Sequence, residues 1–115
     1  MATKLFFQPV NKDRKPFGEP VRYWPLIVIA GSVTYRLALH RNLVDSLSWT
    51  VSDPVSGGAI CHPGGCYNGI RVNSRGMSLK EVRPCALLEV EEMIARVGHE
   101  KFNSVLDEAR KQAGG

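Results

Sequence analysis

From Val33 to His40 the chain alternates, with Val33, Tyr35, Leu37 and Leu39 set against Thr34, Arg36, Ala38 and His40. Successive side chains of a strand point to opposite faces, so the pattern predicts one buried face and one wet face that carries Thr34, Arg36 and His40. The preceding run from Tyr23 to Ala30 is apolar except at Pro25, and Gly31-Ser32 between the two runs predicts a hairpin. Pro25 has no N–H to donate to a ladder and therefore belongs at a strand start or an edge. Further short strands are predicted at Leu5-Phe6-Phe7, at Ser48 to Ser52 with Trp49 and Val51 inward, at Ala59-Ile60-Cys61 and at Ile70-Arg71-Val72. Turn formers punctuate them: Pro9 with the loop "NKDRKPFGEP", Asp53-Pro54-Val55-Ser56-Gly57-Gly58, and Asn68-Gly69. Asn42 to Asp45 reads as a loop or a helical turn.

At Ser78 the period changes. Ser78-Leu79-Lys80-Glu81 fits a capping box flanked by a Met77/Val82 staple, which starts a helix. Pro84 predicts a kink or a restart. Leu87, Val90, Ile94 and Val97 then share one face, Gly98 supplies a left-handed cap, and Phe102, Val105, Leu106 and Ala109 line a second amphipathic helix. Strands followed by helices predict an α+β fold: an antiparallel sheet of four to six short strands with two C-terminal helices packed on one face. Residues 1–115 read as a single domain, strand-rich and basic over 1–77 and helical over 78–115.

Composition narrows the class. A chain of 115 residues buries roughly two thirds of its unfolded surface, enough for a core without disulfides or metals. Leu26 to Ala30 is the longest apolar run, far short of the ~20 residues a spanning helix needs, and no membrane partner is expected. With three cysteines, an odd number, and no secretory leader visible at "MATKLFFQPV", a reducing, cytoplasmic setting is expected. The net charge of +4 is unevenly spread. Residues 1–77 carry nine Lys/Arg against four Asp/Glu, while 78–115 carry six against seven. The cationic excess points to an acidic protein surface or a nucleic acid as partner. Arg14, Lys15, Arg36, His40, Arg71 and Arg75 are the residues expected to form that surface.

The stretch "ICHPGGCYNG" gathers Cys61, His62 and Cys66, ligand types that zinc accepts, with Cys85 or His99 as conceivable fourth ligands. The spacing speaks against a metal centre, because only one close pair is present and four residues intervene. It equally opposes a phosphate cradle, since the glycines lead into a strand rather than a helix N-terminus. A Cys61–His62 nucleophile and base is disfavoured because neighbours on an extended chain point apart. No cofactor is implied, no catalytic constellation is identifiable, and the stretch reads as turn chemistry beside small buried cysteines.

The layout of "SWTVSDPVSGG", "MSLKEV" and "MIARVGHEKFNSVLDEAR", with Trp49, Val51, Gly57, Ser78, Glu81, Gly98, Glu100 and Phe102 at the matching places, resembles small accessory proteins of bacterial mobile elements: phages, plasmids and integron cassettes. The segment "CHPGGCYNGIRVNSRG" is longer than that pattern expects. The resemblance implies a mobile-element origin and a host protein or nucleic acid as partner; it assigns no chemistry. The expectation from sequence is therefore a binding protein that recognises or inhibits a host macromolecule, as anti-CRISPR proteins do, through a basic surface and the loops at 11–20 and 62–76. A direct nucleic-acid binder and a thiol or zinc enzyme are the alternatives. An exposed edge at the first strand or near Pro25 is a place where two chains could pair as a homodimer.

Overall fold

The computed structural model describes residues 4–11, 13–67 and 70–114, with backbone alone for 64–67, 70–73 and 113–114. Strands β1 (Leu5–Phe7), β2 (Val21–Ala30), β3 (Val33–Arg41), β4 (Trp49–Ser52) and β5 (Ala59–Cys61) form one antiparallel sheet in chain order. Strands β6 (Gly64–Tyr67) and β7 (Ile70–Asn73) pair separately, and helices α1 (Leu79–Val97) and α2 (His99–Gly114) close the chain. This is the α+β arrangement that the change of period predicts. No helix among the described residues is long and apolar enough to cross a membrane.

The sheet's front face follows from the alternation. In the β2–β3 register Leu26 faces Leu37 and Val28 faces Tyr35, and Trp49 and Val51 continue the row on β4. Onto it pack Val82, Ala86, Val90 and Ile94 of α1 with Phe102 and Leu106 of α2, all in one core cluster. The Gly31-Ser32 turn places Gly31 at φ +66, a conformation glycine adopts freely, and a Cβ there would meet the His99 ring at 2.5 Å. Because Ala30 and Val33 close this two-residue turn as a hydrogen-bonded pair, every second residue back along β2 bonds to β3 and the Pro25 nitrogen points outward. The described β1 pairing ends at Tyr23, and Pro25's missing donor interrupts no bond to β3.

The first helix starts as expected. Ser78 Oγ accepts from the Glu81 N–H at 3.3 Å, and Glu81 Oε1 accepts from the Ser78 N–H at 3.0 Å. It then runs without a break through Pro84, which lies on the exposed side. Gly98, at φ +89, donates to the Ile94 carbonyl at 2.8 Å and is the single residue between the helices. Two helix positions differ from expectation. Val97 and Val105, read from periodicity as core, are 42% and 58% exposed, because the buried stripe of α1 ends at Ile94 and that of α2 runs through Phe102, Leu106 and Ala109. The segment 64–67, expected as part of a turn, is a strand; Asn68-Gly69 lies outside the described residues.

A buried ion pair ties α2 to the sheet. Asp53, fully buried, accepts from Arg110 Nε at 3.0 Å and from its NH2 group at 2.9 Å. The same guanidinium lies 5.2 Å over the Tyr35 ring, whose hydroxyl donates to Asn103 at 2.6 Å. Asn103 in turn donates to the Ala30 carbonyl at 3.2 Å.

Candidate functional site

The back face of the sheet is divided. At one end Ile27 and Ile29, 54% and 64% exposed, stand with Thr34 and Arg36 in solvent. At the other end the segment after β1 crosses the sheet. The Val10 N–H donates to the Gly57 carbonyl at 3.0 Å, and Gly57 sits at φ +81 so close to the Gln8 carbonyl that a side chain there would collide with it. Asn11 Oδ1 holds the following turn through the Asp13 and Lys15 N–H groups at 2.9 and 3.1 Å. The Phe7 ring lies 5.0 Å from that of His40.

This crossing corrects the expectation for His40. Placed by alternation on the wet face, it is 2% exposed, and Ala38 beside it is fully buried. Alternation assigns a side chain to a face but cannot tell whether another part of the chain covers that face. His40 Nδ1 lies 2.7 Å from the Arg41 carbonyl oxygen and Nε2 lies 2.8 Å from Ser52 Oγ. Burial, the largest influence, pushes its pKa down; nearby His62 pushes the same way, and the Arg41 carbonyl opposes them.

Beside this pair a cleft of about 260 Å³ opens, lined by His40, Thr50, Ser52 and His62 with Phe17 and Leu43 among its apolar walls. Thr50 Oγ1 lies 3.1 Å from His62 Nδ1 and accepts from Asn42 Nδ2 at 2.9 Å. The polar positions Thr50 and Ser52 repeat at period two on a strand facing His40, which is the signal by which the sequence could have disclosed the cleft.

A second concavity, about 270 Å³, lies between β5 and the helices. Its floor is apolar, with Ile60, Met93, Phe102 and Leu106, and the two exposed valines, Val97 and Val105, line it. Arg14 and Lys101 supply its cations. β5 ends the strand order, so its outer edge borders this groove unpaired among the described residues.

The expected basic residues are thus dispersed. Arg14 lines the groove, Lys15 is exposed in the same loop, and Arg36 stands on the open half of the back face. Arg75 Nε donates to Asp45 at 3.0 Å, and the Arg71 side chain lies outside what the structure describes. Both tryptophans are engaged: Trp49 is buried beneath Arg41 at 4.0 Å, and Arg22 lies 4.7 Å over Trp24.

Cys61 and His62 point to opposite faces. Cys61 packs against the core, whereas His62 reaches Thr50 on the back, so one ion is not within reach of both. Burial, with Glu89 nearby, pushes the Cys61 thiol up to about 12, which keeps it protonated and poorly nucleophilic. The Cys66 side chain lies outside the described part; among the described residues no group of three or more His, Cys, Asp or Glu is placed to hold a metal. Compared with protein-family models, curated proteins and solved structures, the chain matches none of them.

Proposed function

We propose that this chain is a binding protein that takes an extended, acidic segment of a protein partner into the groove between β5 and the two helices. One observation carries the reading: Val97 and Val105, which follow the helices' apolar periodicity, are left in solvent as the walls of a groove that Arg14 and Lys101 flank. Apolar side chains kept out of the core at a concave site favour a partner's apolar side chains, and the two cations lining it favour carboxylates. The unpaired edge of β5 offers such a segment backbone hydrogen bonds as an added strand. A protein is preferred over a nucleic acid because Trp49 is buried and Trp24 already carries Arg22 against its ring, so neither is presented as a platform for stacked bases. The reading includes a mobile-element origin and action in the cytoplasm by occupying a host protein's surface.

The test is titration with a labelled peptide alternating leucine and glutamate, in parallel with labelled DNA and RNA. Saturable peptide binding is expected, weakened about tenfold by Lys101→Glu, lost on Val105→Asp, and reduced by added salt. Peptide affinity indifferent to both substitutions overturns the groove. Tighter binding to DNA or RNA that falls steeply with salt transfers the function to the nucleic-acid alternative.

A further inference from the structure

His40 and Ser52 lie on neighbouring strands with the same outlook, since Ala38 faces Ser52 and His40 faces Thr50 in the register. The register shifts between Val51 and Ser52 where β4 meets β5, the kind of irregularity that re-aims a strand's side chains beside a site. A carbonyl oxygen only accepts hydrogen bonds. The Arg41 carbonyl, 2.7 Å from His40 Nδ1, therefore holds the proton of the neutral ring on that nitrogen. Nε2 then carries the lone pair and accepts from the Ser52 hydroxyl at 2.8 Å. A hydroxyl bonded to an imidazole whose other nitrogen is fixed by a third group is the arrangement of an activated nucleophile. Both side chains line the cleft of about 260 Å³, where Phe17 and Leu43 supply apolar wall and Asn42 and His62 further polar groups.

We propose that Ser52 and His40 are a nucleophile and its general base, and that the back-face cleft accepts small carboxylic esters with an apolar acyl group. This goes beyond the groove reading and does not depend on it. Ser52 Oγ attacks the acyl carbon while its proton passes to His40 Nε2. The imidazolium returns that proton to the departing alkoxide, leaving an acyl ester on Ser52. A water molecule, deprotonated by the same nitrogen, then attacks this ester, and the carboxylic acid leaves as Ser52 recovers its proton. One ester and one water thus become one acid and one alcohol. Burial favours the neutral form of His40, which leaves Nε2 free to accept the proton; among the described residues of the cleft the other titratable group is His62.

The experiment is labelling of the full chain with a small alkyl fluorophosphonate, read by intact mass and peptide mapping. A single adduct on Ser52 is expected. Its rate of formation should climb through one ionisation below the usual histidine value of 6.5 and then level off. Ser52→Ala should remove the adduct without altering the circular dichroism spectrum. His40→Gln should slow it by roughly a hundredfold or more, the scale of general-base assistance. Lys80→Gln, exposed on α1, should leave it unchanged, and because the labelling reads Ser52 while the peptide titration reads the β5 groove, failure of this proposal is distinct from failure of the binding reading. If His40→Gln does not fold, the native pH profile decides: a rate still rising with hydroxide up to pH ~9 means an unassisted serine and overturns the proposal. Absence of any Ser52 adduct on the folded native chain overturns it outright.

Discussion

Asp53 is a fully buried carboxylate that no sequence motif announces. Burial alone would raise its pKa, but the Arg110 hydrogen bonds, with help from Ser56 and Val55, outweigh it, and the carboxyl is held below its usual value. A carboxylate with a lowered folded-state pKa stabilises the fold above its unfolded-state value of about 4, and that contribution disappears as pH falls through the folded-state value. Arg110→Met should therefore cost about 3 kcal/mol at pH 7, because it strands a buried charge, and much less at pH 3, where the variant's Asp53, left with burial and without its arginine, takes up a proton. Urea unfolding of both proteins at the two pH values measures the gap. Cys61 makes the opposite kind of prediction. With its thiol pushed up to about 12, iodoacetamide should modify it at least about a hundredfold more slowly in the folded chain than in urea, as read on the Cys61 peptide. Comparable rates would show the thiol to be accessible and ionised.

At the scale of elements, the clearest local signal was also the most accurate. The capping box needs only four consecutive residues, and Ser78 and Glu81 make both of its hydrogen bonds. Ser78→Ala should destabilise the protein by about 1 kcal/mol in chemical denaturation. A change under a few tenths would mean that the core, not the cap, sets where α1 begins. Pro84 did not break the helix, because a chain already nucleated at Ser78 and pinned by Val82 and Ala86 tolerates one lost hydrogen bond on its exposed side. The strands at 33–41 and 49–52 were readable for the same reason as the cap, since alternation is local. Val97 and Val105 were misassigned because periodicity selects a stripe but not how much of it a partner element covers. Ile70 to Val72 reads as a strand and forms β7, whereas its partner β6 is half glycine and carries no alternation to read.

For the molecule as a whole, the decisive event is the crossing of the back of the sheet by residues 8–11 and 13–17. It converts half of an expected wet face into an enclosed one, so His40 becomes a buried partner of Ser52 while Arg36, four residues earlier on the same face, stays in solvent. The same loop carries Arg14 around to the groove beside β5. Both proposed sites thus depend on one N-terminal excursion, although they use different side chains and answer to different assays. What the amino-acid order determined alone was everything with a short range: the hairpin at Gly31-Ser32, the inward rows of β3 and β4, the capped start of α1, the break at Gly98, and hence the α+β plan. Only the tertiary structure decided which faces are covered, that Arg110 finds Asp53 57 residues away, and that His40 meets Ser52 in a cleft. The physical reason is that backbone periodicity and capping are settled between near neighbours, whereas burial and polar pairing depend on which distant segment arrives to displace water.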